Sequence, residues 1–205
     1  MNKLMFLGIG RLGCKIIYGI SQATNQSYIS DALYVFADCN SHDLYRYNGY
    51  RSVLLDRCSN KFPSEVFDDV EQLIIVAGMS GSTGSEFSVL ALVAARSFGI
   101  KIISMIGIIG FVCEGRGKVL RSILSLKKIK NMPGVSLLIC NMGKIVAKYG
   151  DVDVISALEK VDEEIINTIE GHVLIPTRYM STRRYPDNRK KSLIKKIFRL
   201  IKNWF

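Results

Sequence analysis

The sequence predicts an α/β fold with three layers, in which a Rossmann-like parallel sheet is covered by helices on both faces. Apolar, strand-like runs alternate with helix-like segments along most of the 205 residues, and this order is typical of parallel sheets. The strands are continuously apolar, as burial on both faces requires. A C-terminal amphipathic helix is predicted in addition to this sheet.

The elements follow from short apolar runs and from the residues that start and stop helices. Strands are predicted at residues 4–7, 33–37, 52–55, 73–77, 101–106 and 135–140, and helices at 13–22, 64–70, 88–98, 117–130 and 152–168. Pro63 and Ser64 indicate the start of the second helix, and Gly99 indicates the end of the third. The predicted domains are therefore a main α/β domain over 1–175, a basic linker over 176–191 and an amphipathic helix over 192–205.

Composition excludes several classes of protein. Hydrophobic residues make up 48% of the chain, which is enough for a buried core. The five cysteines form no C-x-x-C pair and the two histidines allow no zinc-binding spacing, so reduced thiols are expected. No apolar run reaches the roughly 18 residues of a membrane-spanning helix, and the first residues do not resemble a signal peptide. These features predict a cytoplasmic protein.

The positive charge is concentrated near the C-terminus. The formal net charge is +10, and from Arg178 onward ten basic residues stand against Asp187 alone. The remainder of the chain is therefore almost neutral. This distribution argues against a nucleic-acid groove on the main domain.

The most informative segment is the second glycine turn, residues 78–85, which follows the predicted strand 73–77. Its glycines leave backbone N–H groups unobstructed, and a helix predicted from about Phe87 adds the positive end of its dipole. Its small residues predict a phosphate cradle, with a flexible surface turn as the alternative. The residues concerned are Gly78, Ser80, Gly81, Ser82, Thr83, Gly84 and Ser85.

The first glycine turn, Gly8–Gly13, has the spacing G-x-G-x-x-G after the first strand. Such a turn lets a pyrophosphate approach the backbone at the start of the next helix. Asp38 ends the second strand, where a dinucleotide site places a ribose-binding acid. An NAD(H)-binding Rossmann domain is therefore an alternative, although it leaves the second glycine turn unexplained.

The order of these motifs resembles the nucleotide-binding (GTPase) domain of the tubulin/FtsZ family over about residues 4–171. The matching positions are the first turn with Gly8, Gly10 and Gly13, the acid Asp38 in Ala37-Asp38-Cys39-Asn40, the second turn in Ala77–Ser85, the segment Phe111-Val112-Cys113-Glu114-Gly115, the strand-ending Asn141, and the long helix with Leu158, Asp162 and Glu163.

The resemblance implies that the ligand is GTP or GDP, with Mg²⁺ as an accompanying ion. Glu114 is then expected to accept a hydrogen bond from a ribose hydroxyl, and Asn141 to donate to guanine O6 or N7. Leu158 is expected to pack on the base, while Glu163, beside Asp162, accepts from guanine N1 and the exocyclic amine. The alternatives are a turn or cap role for Asp38 and Asn141 and a solvated charge for Glu114 and Glu163.

Departures from the family pattern qualify this prediction. Arg11 and Leu12 replace glycines in the first turn, Lys15 replaces an asparagine, and Glu86 replaces a glycine after the second turn. Arg11 and Lys15 are candidates to neutralise phosphate charge, or to face water. The resemblance places the acidic loop that completes hydrolysis in a second domain without a counterpart in these 205 residues, so we expect weak GTP hydrolysis or none.

The C-terminal segment predicts attachment to an anionic membrane surface. Its cations face away from an apolar side that spans roughly 160°, an arrangement that favours the membrane interface. The apolar side consists of Leu193, Ile194, Ile197, Phe198, Leu200, Ile201, Trp204 and Phe205, and the cations are Lys195, Lys196, Arg199 and Lys202. Docking on a partner or on the protein's own domain is the alternative.

The sequence thus predicts a cytoplasmic, FtsZ/tubulin-like protein of the cytoskeleton that binds guanine nucleotide and is held peripherally at the inner face of the membrane. A homo-oligomer or an FtsZ-like partner is expected, and nucleic acid is not. Two other functions stay open. One is an NAD(H)-binding Rossmann protein, and the other is a nucleotide-free adaptor acting on cell-division or cytoskeletal partners.

Overall fold

The computed structural model describes residues 4–23, 31–150 and 153–173. The chain divides into one unit, Met1–Glu170, and a second, Gly171–Phe205, of which only the first three residues are described. The predicted linker and the C-terminal amphipathic helix lie outside the described residues.

Six parallel strands among the described residues form a sheet with the order β3-β2-β1-β4-β5-β6. This confirms the predicted fold class. The elements are β1 (Leu4–Ile9), α1 (Gly10–Ala23), β2 (Leu33–Asp38), α2 (Ser41–Leu44), β3 (Arg51–Leu54), β4 (Gln72–Gly78), α3 (Ser82–Phe98), β5 (Ile102–Ile109), α4 (Arg116–Lys130), β6 (Val135–Asn141), α5 (Met142–Val146) and α6 (Val154–Val173).

Side chains alternate along each strand, and this divides the core into two layers. On one face, Met5, Leu7 and Ile9 join a buried cluster that includes Leu92 of α3 and Leu126 of α4. On the other face α1 covers β1 and β4, burying the side chains of Ile16, Ile17 and Ile20 completely. Helix α6 lies beside α1, because a Cβ added at Gly19 would meet Ile166.

The sheet order determines where a ligand can bind. The chain runs outward from β1 to β3 on one side, and then from β4 to β6 on the other. Strands β1 and β4 are neighbours, with Ile9 beside Ala77 at their carboxyl ends. Ligands of open parallel sheets bind at this reversal of strand order, and both glycine turns start there.

One predicted boundary is wrong in an informative way. Helix α3 begins at Ser82, five residues before the predicted Phe87. The last four residues of the second glycine turn therefore form the first turn of the helix. Small and hydroxyl residues fit there because the first N–H groups of a helix need no intrahelical partner.

The other differences concern element ends and short helices. Helix α1 begins at Gly10 rather than residue 13, and the helix predicted over 64–70 is a 3₁₀ turn, Ser64–Phe67. The short helices α2 and α5 were not predicted, because four or five residues show no helical period. Gly99 ends α3, as predicted, and it does so in a left-handed conformation.

Candidate nucleotide-binding site

The two glycine turns contact each other above the carboxyl ends of β1 and β4. Gly10 has a φ of +74°, and a Cβ at this position would lie 3.3 Å from the backbone nitrogen of Gly84. Both the conformation and the close approach require glycine here. The backbones of the two turns therefore meet directly at Gly10 and Gly84, while the Leu12 side chain packs against Gly78 beside this contact.

The start of helix α3 presents free backbone N–H groups to this surface. Gly81 is the N-cap residue, and no side chain within the described ranges 4–23, 31–150 and 153–173 caps the helix. A Cβ at Gly81 would have the carbonyl oxygen of Gly78 as its nearest neighbour, 3.8 Å away, so the space in front of the cap is open. An uncapped helix start with bare backbone favours an anion such as phosphate.

Two of the four predicted hydroxyl donors already serve the protein's own structure. Ser85 Oγ donates to the carbonyl oxygen of Ser82 over 3.1 Å, and Ser80 Oγ accepts from the N–H of Gly110 over 2.9 Å. Ser80 therefore joins the second glycine turn to the end of β5. Ser82 and Thr83, half-buried in the first turn of α3, are the better-placed hydroxyls for a ligand.

Arg11 links the first glycine turn to the short helix α2 through Asp43. Its Nη2 lies 3.0 Å from Asp43 Oδ2, and its Nε lies 3.3 Å from the same atom. Asn40 Nδ2 also donates to this oxygen, over 3.2 Å. The guanidinium of Arg11 lowers the pKa of Asp43, so the pair stays ionised. Asp43 was not predicted, since nothing in the sequence pairs it with Arg11.

Asp38 is buried at the end of β2. Its Oδ1 accepts the backbone N–H of Asn40 over 3.1 Å. Burial raises the pKa of Asp38, while this hydrogen bond opposes the rise. The carboxylate thus stabilises the turn before α2, which is the alternative role considered for it.

Glu114 follows β5, and its carboxylate has two protein partners. Oε1 accepts from the N–H of Phe111 over 2.8 Å, and Oε2 pairs with Lys118 Nζ over 3.1 Å. A Cβ at Gly110 would overlap both Glu114 and Ser80. The loop after β5 is therefore packed closely against the second glycine turn.

Asn141 ends β6 and caps the short helix α5. Its Oδ1 accepts from the N–H of Lys144 over 3.1 Å. This is the cap role named as the alternative. The cap uses the oxygen, so the Nδ2 group keeps the donor capacity that a contact with guanine would need.

Helix α6 brings Asp162, rather than Glu163, towards α1. Asp162 forms an ion pair with Lys15, and its side chain is 18% exposed. Glu163 is exposed on the opposite side from the buried Val161 and Ile165. Leu158 lies one turn before Asp162 and shares its flank, as residues four apart on a helix do. That spacing was visible in the sequence and could have favoured Asp162.

No protein-family model and no curated protein matches the sequence. Solved structures do. FtsZ from M. jannaschii, in an empty dimer, matches with a TM-score of 0.72 at 16% identity, over 84% of this chain and 55% of that chain. CetZ2 from Haloferax volcanii, in a GTPγS-bound protofilament, matches with a TM-score of 0.69 at 17% identity, over 89% of this chain and 63% of that chain.

TubZ from Bacillus thuringiensis serovar israelensis, in a GTPγS-form protofilament, gives a TM-score of 0.59 at 11% identity, over 85% of this chain and 56% of that chain. The chain thus spans little more than half the length of the FtsZ and TubZ chains that it matches. At these identities the likeness establishes the fold. The chain has the fold of the tubulin/FtsZ GTPase domain.

Proposed function

We propose that this protein binds GTP or GDP across the carboxyl ends of β1 and β4. The contact between Gly10 and Gly84 carries the proposal, since it joins two bare turns and a helix start into one anion-binding surface. Structural relatives support the choice of ligand. CetZ2 is described as GTPγS-bound, and CetZ1 from Haloferax volcanii as GDP-bound.

The phosphates are assigned to the backbone N–H groups at the start of α3 and to the first glycine turn. Arg11, at the edge of that turn, is shared between Asp43 and any phosphate bound there. Within the described parts of the chain no group of three His, Cys, Asp or Glu side chains is arranged to hold a metal. Any Mg²⁺ would therefore be held mainly by phosphate oxygens and water molecules.

The base is assigned to the flank that α1 and α6 share. Asp162 would accept hydrogen bonds from guanine N1–H and the exocyclic amine, while Lys15 and Asn141 would donate to O6 or N7. Leu158, one turn earlier on α6, would pack on the base. Adenine reverses the pattern at positions 1 and 6, so the same groups would reject it.

The Asp162→Asn variant is expected to weaken GDP binding by about 10- to 100-fold, because a charged acceptor typically contributes about 1.5–3 kcal/mol to such a contact. Isothermal titration calorimetry with GDP measures the loss. Glu159→Gln, an exposed carboxylate on the same helix, is the matched control and should leave the affinity unchanged. If Glu163→Gln lost a comparable amount of GDP affinity while Asp162→Asn kept that of wild type, Glu163 rather than Asp162 would be the residue that recognises the base.

Identifying the nucleotide that copurifies with the protein tests the proposal most directly. The protein is denatured, and the released small molecules are separated by ion-exchange chromatography beside GDP, GTP, ADP and NAD(H) standards. Guanine nucleotide supports the proposal, and NAD(H) would replace it with the dinucleotide alternative. An empty protein that also fails to bind millimolar GDP would favour the nucleotide-free adaptor.

We propose weak or absent hydrolysis. Three of the carboxylates at or after the strand ends are already engaged, Asp38 with Asn40, Asp43 with Arg11, and Glu114 with Phe111 and Lys118, while Glu86 is exposed in the first turns of α3. A general base for water needs a carboxylate within hydrogen-bond reach of the reacting phosphate. The proposed role of this site is therefore binding rather than turnover.

We also propose that the C-terminal segment holds the protein on an anionic membrane at its cytoplasmic side. In the part of the chain that the structure describes, no helix has the length and apolar character to cross a bilayer. The proposal is supported by sequence alone, through the apolar side that includes Phe198 and Ile201 and the cations opposite it. Each such cation near an anionic surface contributes on the order of 1 kcal/mol.

The double variant Phe198→Glu/Ile201→Glu is expected to release the protein from anionic vesicles. Two carboxylates on the apolar side would have to be buried among lipid tails, which is strongly unfavourable. Flotation with vesicles containing phosphatidylserine measures the bound fraction, which should fall at least tenfold. Asn203→Glu, on the polar side, is the control and should retain most of the binding. Equal flotation of wild type and double variant would point to another anchor.

A further inference from the structure

Helix α4 presents a surface of leucines and cations. The helix contains six basic residues and no acidic one. Leu120 and Leu124, one turn apart, are 56% and 51% exposed, and Lys127 and Lys128 extend the same surface by a further turn. Exposed leucines framed by cations make a surface suited to a partner that is both apolar and acidic.

Helix α6 presents the complementary surface. It contains five acidic residues and one lysine. Ile155 is 72% exposed, and Glu159 and Glu163 follow at one-turn spacing on the exposed side of the helix. Apolar area thus stands beside negative charge on α6, as it stands beside positive charge on α4.

Within one chain these surfaces do not meet. Helix α4 packs on the sheet face that carries Met5 and Leu7, with Leu126 lying over Gly107. Helix α6 lies beside α1 on the other face, where Lys15 pairs with Asp162 and Ile166 approaches Gly19. The sheet separates the two surfaces, so they can pair only between copies.

We propose that α4 of one copy docks on α6 of the next. A symmetric α4–α4 or α6–α6 contact would place like charges together, which is strongly unfavourable. The complementary pairing is head-to-tail. Because α4 and α6 lie on opposite faces of the sheet, one partner cannot cover both, so such a contact builds a row or a ring of copies rather than a closed dimer.

A second copy fits these surfaces better than a lipid surface does. Anionic lipid would suit α4 but would repel α6, and it would leave Ile155 uncovered. In a head-to-tail row, one neighbouring copy covers α4 and the other neighbour covers α6. Two crossing helices bury less area than a standard interface of about 800 Å² per partner, so we expect weak association that depends on concentration and salt.

Sedimentation velocity of the full-length protein tests the contact. The wild type should self-associate at 50 mM NaCl and become mostly monomeric at 500 mM, because salt screens exposed charges. Lys127→Glu/Lys128→Glu and Glu159→Lys/Glu163→Lys should each weaken self-association at least tenfold. Lys61→Glu/Lys101→Glu, an equal change of charge at two other exposed lysines, should leave it unchanged.

Charge exchange separates docking from a general charge effect. The protein carrying all four α4 and α6 substitutions should associate again, and an equimolar mixture of the two double variants should form mixed oligomers. A wild type that stays monomeric at low salt, or a four-fold variant that does not recover, would overturn the proposal. Loss of vesicle binding in Lys127→Glu/Lys128→Glu, with unchanged self-association, would overturn it in favour of a lipid contact at α4.

Discussion

Replacing Gly13 by alanine is expected to destabilise the domain by about 3 kcal/mol, the upper end of what overpacking a close contact usually costs. Gly13 is in α1, where the helix backbone lies directly on β4. A Cβ there would overlap the carbonyl oxygen of Val76 and lie 3.2 Å from the Cα of Ala77. Both neighbours are backbone, so neither can rotate away, and α1 would have to lift from the sheet.

Helix propensity alone predicts that Gly13→Ala stabilises the domain, because alanine is favoured over glycine inside a helix by about 1 kcal/mol. Gly117→Ala in α4 measures the helix-propensity effect without a steric clash, since a Cβ at Gly117 meets no atom within 4 Å. Urea unfolding should show Gly13→Ala well below wild type and Gly117→Ala slightly above it. A shift of both variants in the same direction would mean that α1 does not sit this closely on β4.

Replacing Gly81 by aspartate is expected to weaken guanine nucleotide binding strongly while preserving the fold. Gly81 has room for a side chain, and its backbone angles, φ −79° and ψ 153°, suit any residue. Aspartate is among the best N-cap residues, so its carboxylate would accept the N–H groups at the start of α3. Those are the groups assigned to the phosphates.

Charge repulsion decides the size of the effect. A carboxylate about 5 Å from a phosphate charge costs about 3 kcal/mol at an effective dielectric constant of about 20, which corresponds to an affinity loss of about 100-fold. Calorimetric titration with GDP measures the loss, and thermal unfolding should show a melting temperature at or above that of wild type. Gly81→Ala adds only a methyl group and should change GDP affinity by less than about threefold.

The result for Gly81→Asp separates function from folding because the two effects have opposite signs. Weaker nucleotide binding together with unchanged or higher stability would place the ligand at the start of α3. Unchanged GDP affinity in Gly81→Asp would show that the second glycine turn is only a turn. Bulky substitutions at Gly84 cannot make this distinction, since a Cβ there would overlap the carbonyl oxygen of Gly78.

The order of strands and helices was predictable because its signals are local. The runs 73–77 and 135–140 are apolar over the length of a strand, and Gly99 stops a helix where the chain needs a left-handed residue. Both glycine turns were also predictable from the sequence, since glycine, which lacks a side chain, allows such close backbone approach. Their placement at the same edge of the sheet followed from the predicted parallel strands, whereas the pairing of β1 with β4 came from the structure.

The partners of the polar side chains were not predictable, because they come from distant parts of the chain. Arg11 meets Asp43, Lys15 meets Asp162, and Ser80 meets Gly110 only after the sheet has formed. The start of α3 was misplaced for a related reason, as serine, threonine and glycine are equally typical of a loop and of a first helical turn.

By itself, the sequence determined an α/β sheet with two bare glycine turns and a charged, amphipathic C-terminal segment. Tertiary structure decided that the turns touch at Gly10 and Gly84, that Asp162 rather than Glu163 faces α1, and that cationic and acidic helices lie on opposite faces of the sheet. The reason is physical. Backbone preference and hydrophobic period act within a few residues, whereas distances between side chains are set by how whole elements pack.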